Sequence, residues 1–220
     1  MPGANSKKLL VIRPVILNDD FTIKFSYPAS SSIGSKALAE GWTLTELAGN
    51  AATLTNLEGI IQTEDPDFII HYDHGDPATL FGQINNVRDR GVLTPANITL
   101  LSWAVVSTVS CSSALRLGPL AVAANKRNEK AYLGYDAPMG CAYRYTNCFA
   151  RAANAANYAL LEGKSFQEAQ EIGRDQYTIE INKLLALNDP TYINWLAVLI
   201  MFIDRDHFKV IGNGSAHAYG

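Results

Sequence analysis

Apolar residues fall into short unbroken runs over the first two-thirds of the chain and into a three-to-four spacing over the last third. The runs "LLVIRPVI" (9–16), "FII" (68–70) within "DFIIHYDHGD", "VVSTVS" (105–110) and "KAYLGYD" (130–136) predict buried strands. "FTIKFSY" (21–27) alternates and predicts a further strand, at an edge, followed by a loop over "PASSSIGS" (28–35). From Thr45 to Gln62 the positions Leu47, Ala51, Leu54, Leu57 and Ile61 predict an amphipathic helix, stopped by Asp65-Pro66. "ANITLLSWAVVSTVSC" reads as β-rich and broken near Ser102 to Val105. "SALRLGPLAVAANKRN" reads as helical, bent or restarted at Pro119. The last third holds three helices between Thr146 and Ile203, the second opened by a capping box of Ser165 and Glu168.

Apolar strands alternating with helices imply βαβ units and a mainly parallel sheet covered on both faces, in one α/β domain spanning 1–220. Ligands gather at the carboxyl ends of such strands. Two chemically capable groups stand there, His74 after the first internal strand and Cys111 after the next.

The totals narrow the partners. A net charge of −3 gives no reason to expect nucleic acid or an anionic membrane. The N-terminal apolar run ends at Pro14 without a cleavage-site pattern, so no signal peptide is expected. "WLAVLIMFI" (195–203) falls well short of the roughly 20 residues that cross a bilayer. Three cysteines do not make a disulfide framework and favour a reducing, cytoplasmic setting.

Cysteine-based hydrolysis needs a thiolate, a histidine to take its proton and donors for an oxyanion. Cys111 and His74 supply the first two. Gly75, lacking a Cβ, lets its N–H approach a carbonyl closely, and the N–H of Cys111 is a second donor. "CSSALRLG" predicts a turn from strand into helix at the thiol, which would place Cys111 near a helix N-terminus. Taken singly, His74 reads as a turn histidine and Cys111 as a core thiol; their order and context favour the pair. Cys141 and Cys148 fit no usual zinc spacing, and His71 falls on the opposite strand face from His74.

"FIIHYDHGD" and "VVSTVSCSSALRLG…KAYLGYD" resemble the His-Gly and strand-plus-Cys blocks of the caspase-like (clan CD) cysteine peptidases, the group of caspases, metacaspases, legumains, clostripains and gingipains. The resemblance runs from about Asp67 to Asp136. It implies a caspase–haemoglobinase fold, a three-layer sandwich with a central mainly parallel sheet, and a His-Cys dyad without metal or cofactor acting on peptide or protein substrates. By position His74 is the general base, Cys111 the nucleophile and Gly75 an oxyanion donor.

Around the nucleophile the caspase pattern is Gln-Ala-Cys-x-Gly, whereas this chain reads Val109-Ser110-Cys111-Ser112-Ser113. Metacaspase- and clostripain-like enzymes often carry an aspartate where Val109 stands. Cleavage after Asp is therefore not expected. Asp136, ending the next strand, is the candidate floor of a pocket for Arg or Lys, and Asp73 the second choice. The loops 85–97 and 125–130 are candidate self-cleavage sites, at Arg88, Arg90 or Arg127. Two rival readings remain. One is a metal-dependent hydrolase using "HYDHGD", which departs from the His-x-His-x-Asp-His pattern of metallo-β-lactamase-like enzymes. The other is a non-catalytic binding module of the same fold.

Overall fold

A computed structural model describes residues 7–85 and 87–219; the side chains of 88–90 lie outside the described part. The strand β1 (Lys8–Arg13) alternates its burial between two cores: Leu9 and Val11 face one, Leu10 and Ile12 the other. A strand apolar on both faces belongs in the interior of a parallel sheet. A π-helical turn at Thr22–Ser26 then runs directly into α1 (Tyr27–Ala39). β2 (Thr43–Ala48) and α2 (Leu54–Glu64) follow, the latter capped by the Thr53 side chain and ended at Asp65 in the left-handed region. β3 (Phe68–Tyr72) is wholly buried. A small antiparallel sheet of β4 (Gly75–Asp76), β5 (Thr79–Ile84) and β6 (Val87–Leu93) comes next.

The chain returns to the main sheet as β7 (Val105–Val109), then passes through α3 (Leu117–Ala124) and β8 (Ala131–Tyr135). Three helices follow, α4 (Thr146–Leu161), α5 (Phe166–Ala186) and α6 (Tyr192–Asp206), and β9 (Phe208–Gly212) closes the sheet. The six strands lie in the order β2-β1-β3-β7-β8-β9, parallel except for β9 against β8. One core lies between the sheet and α1, α4, α5 and α6; the other lies between its opposite face and α2, α3 and the small sheet. This is the three-layer α/β sandwich with a mainly parallel sheet. The capping box forms as expected, Ser165 Oγ accepting from Glu168 N and Glu168 accepting from Ser165 N.

Three expectations are corrected. Residues 21–27 are helical rather than a strand, because Asp19 Oδ1 accepts from the backbone N–H of Phe21 and Thr22 and starts a helix there. "PASSSIGS" is α1 rather than a loop. Its serines turn inward on their own helix, Ser30 and Ser31 donating to Tyr27 O and Pro28 O, and Gly34 lets Leu44 of β2 approach so that an added Cβ would lie 3.1 Å from it. The expected helix over 45–62 begins only at Leu54, since 43–48 pairs residue for residue with β1 as an edge strand. The expected cleavage loops also change character. Most of 85–97 is β6, while Arg127 donates from Nη1 to Asp67 O and is held in place. Asn86 and the side chains of Arg88 and Arg90 fall outside the described part.

Candidate active site

β3 and β7 are neighbours in the sheet, with Tyr72 opposite Val109 and Asp73 N donating to Val109 O at 3.4 Å. His74 and Cys111 each lie two residues beyond that last matched pair. The parallel register therefore delivers both to the carboxyl edge at the same height. Gly75 is what allows the two chain ends to close up. A Cβ there would stand 3.1 Å from Ser110 Cβ and 3.4 Å from Cys111 O.

His74 is held from the side by a residue that sequence reasoning missed. Its Nε2 lies 2.9 Å from Asp19 Oδ2, and the Phe21 ring packs against the imidazole at 4.8 Å between centroids. Nε2 thus carries the proton and donates to the carboxylate, leaving Nδ1 as the basic nitrogen. Asp19 is fixed by doing two things at once, capping the helix start with Oδ1 and meeting His74 with Oδ2. The signal was present in "LNDDF", an aspartate two residues before an apolar helix start, but reading 21–27 as a strand hid it.

Asp73 lies beneath the histidine loop, fully buried, with a backbone φ of 138°. Its Oδ1 accepts from Thr22 Oγ1 at 2.7 Å and from Ser26 Oγ, while Oδ2 has no hydrogen-bond partner. Burial pushes its carboxyl up to about 6, against the opposing pull of His74. Such a group supports the loop from within and offers no surface to a substrate side chain.

Cys111 stands at the head of a tight turn. Ser112 takes a left-handed φ of 54°, its N–H donates to Ala137 O at 2.9 Å, and Ala114 N donates to Tyr135 O. The helix expected to begin at the thiol starts only at Leu117, so no helix N-terminus acts on the sulfur. Cys111 Sγ donates to Met139 O at 3.4 Å. The loop carrying Met139 is anchored in turn: Gly140 N donates to Asp204 Oδ1 at 3.1 Å, from α6. Burial pushes the Asp204 carboxyl well above the usual range, and its second oxygen has no partner. The other thiols are subdued. Burial raises Cys141 to about 12 and raises Cys148 as well.

Asp136 lies just before that loop. Its Oδ1 meets His207 Nδ1 at 2.7 Å and its Oδ2 stands 4.0 Å from Lys209 Nζ, leaving the side chain 30% exposed. His71 faces away from the dyad. Its Nε2–H donates to Phe81 O and its Nδ1 accepts from Ser110 Oγ, both at 2.8 Å, and burial lowers its pKa to about 4. The "HYDHGD" side chains therefore diverge. Among the described residues no three His, Cys, Asp or Glu side chains gather as metal ligands, and no helix is long and apolar enough to cross a membrane.

No family model matches the chain, and no curated protein matches it in sequence. Solved structures do match in shape. The Arg-specific cysteine proteinase gingipain R (RgpB) aligns over 96% of this chain and 46% of its own, with a TM-score of 0.60 at 12% identity. A structure described as a protease aligns over 96% and 48%, with a TM-score of 0.63 at 13% identity. The chain has a caspase-like α/β fold. The complex of Porphyromonas gingivalis RgpB pro- and mature domains aligns likewise, at TM-score 0.57 and 11% identity. The caspase-like chain spans about half the length of these neighbours.

Proposed function

We propose that the chain is a cysteine endopeptidase hydrolysing peptide bonds through Cys111 and His74, with Asp19 orienting the histidine. The observation that carries this reading is the pairing of His74 with Asp19 at the end of β3, level with a thiol at the end of β7. In the proposed reaction His74 Nδ1 takes the Cys111 proton and the thiolate attacks the scissile carbonyl. The backbone N–H groups of Gly75 and Cys111 receive the oxyanion. The imidazolium then protonates the leaving amine, and water, deprotonated by His74, hydrolyses the thioester. Asp19 stabilises the imidazolium through Nε2, the role of a third group in a nucleophilic triad. The chemistry calls for no cofactor.

For the residue before the scissile bond the proposal is Arg or Lys, resting on Asp136. It is the candidate acid with open surface, and Ala137, next to it, bonds the turn after the nucleophile. A fluorogenic peptide library with every residue type before the scissile bond tests both parts. Cleavage after Arg or Lys is expected in wild type, absent in Cys111→Ala and lowered at least tenfold in Asp136→Ala. Activity that survives Cys111→Ala overturns the peptidase mechanism. Unchanged selectivity in Asp136→Ala overturns only the pocket.

A further inference from the structure

The opposite end of the sheet holds a hollow. It has a volume of about 570 Å³ and lies at the amino ends of β3, β7 and β8, away from His74 and Cys111. One wall is Trp103, 54% exposed in the turn that leads into β7. The rim is the 125–130 segment, and hydrogen bonds hold its first half. Asn125 is buried and donates to Ala104 O, Lys126 N donates to Ser102 O at 2.7 Å, and Arg127 N donates to Asn125 Oδ1. The floor is the C-terminal strap, where His217 and Tyr219 are fastened by backbone bonds from Phe166 to Ala216 and by a bridge between Ser165 and His217.

Three charged side chains line this hollow, Lys126, Arg127 and Glu129, and the fold uses only part of their bonding capacity. Lys126 Nζ has no protein partner among the described residues. Arg127 spends one nitrogen on Asp67 O and keeps further N–H donors. Lys7 Nζ sits 4.1 Å from the centroid of the Tyr219 ring beside them. Opposite stands Glu129, whose Oε2 accepts from His217 N at 3.2 Å, leaving its other oxygen as an acceptor. A flat apolar wall, a cationic pair and a lone acidic acceptor in a cavity within the usual ligand-site range of roughly 300–1,000 Å³ define a composite ligand.

We propose that this hollow binds a nucleotide. The base stacks on Trp103, the phosphates meet Lys126 and Arg127, and a ribose hydroxyl donates to Glu129. An isolated anion would leave the Trp103 wall and Glu129 unused, and an uncharged aromatic would leave Lys126 unpaired. The inference is independent of the peptidase reading, since none of these residues touches the dyad.

Calorimetric titration of the full chain with ADP, adenosine and inorganic phosphate decides it. ADP is expected to saturate at one per chain, with adenosine and phosphate each at least tenfold weaker. Trp103→Ala and Lys126→Glu, both at exposed positions, should each weaken ADP at least tenfold while leaving the circular dichroism spectrum and melting temperature unchanged. No saturable heat with millimolar ADP overturns the proposal. So does an isotherm unmoved by either substitution, or phosphate binding as tightly as ADP.

Discussion

The two histidines at the end of β3 are three residues apart and occupy opposite environments. His71 is sealed between the main sheet and the small one, both nitrogens bonded, its pKa lowered to about 4. His74 is partly open, bonded through one nitrogen to a carboxylate and packed on a single ring. The first is a neutral strut whose partner, Ser110, precedes the thiol; the second leaves Nδ1 for the chemistry proposed above. Residue type therefore says little about role here. What separates them is the direction each side chain takes from the pleat and whether a carboxylate or a carbonyl waits there.

If the contrast is right, the two positions fail in different ways. His74→Ala should lower kcat/KM by roughly 10³-fold or more with little change in stability, and adding Cys111→Ala should cost little further, because the two act as a unit. A multiplicative double mutant would break that half of the comparison. His71→Ala should instead destabilise the protein by about 2–4 kcal/mol in denaturant titrations, since it takes the imidazole away from the buried Ser110 Oγ and leaves a cavity. A fully stable variant would show that the strut holds nothing.

Asp19→Asn keeps a cap for the helix and loses the charge facing the imidazolium. A fall of about 10–100-fold in kcat/KM with unchanged melting temperature is expected. An equal loss of both would reassign Asp19 to the fold alone.

The smallest effect concerns acid. His71 has a folded pKa near 4 against 6.5 unfolded, so from pH 7 to 5 the unfolded state takes up more protons, and stability falls by about 2 kcal/mol. Asp73 works the other way. Its folded pKa near 6 exceeds the ordinary 3.8, so the folded state takes up more protons and gains about 1 kcal/mol over the same window. Wild type should thus lose little stability between pH 7 and 5, and Asp73→Asn should lose visibly more. Identical pH slopes for the two proteins would refute the opposition.

The strands that end at His74 and Cys111 were legible because they are apolar on both faces and stop in polar residues, a pattern with few competing readings. The α5 start was legible for a similar reason, Ser165 and Glu168 being a local signal that needs no partner. The segment from 21 to 52 was not. Phe21, Ile23 and Phe25 alternate like a strand, yet Phe21 and Phe25 meet across one helical turn at 5.2 Å. Leu47 and Ala51 sit at a helical interval, yet pairing with β1 over 43–48 overrides it, a tertiary decision that no local window contains. Losing the helix start at 21 also lost Asp19. In the same way, a rim pinned by Asn125 and the carbonyls of Ser102 and Ala104 was mistaken for an open loop, because those acceptors are distant in sequence from the charges they position.

The contact between Cys111 and Met139 has a consequence for how the molecule rests. A sulfur that donates to a carbonyl must hold its proton, since a thiolate would be repelled by the same oxygen. In the form described the Cys111 sulfur is therefore capped by the backbone of the loop that follows β8. That cap is tethered through Gly140 to a buried acid on α6, whose carboxyl burial pushes well above the usual range. For the reaction proposed above this adds a mechanical step to the protonic one: the thiol leaves the Met139 carbonyl before His74 takes its proton.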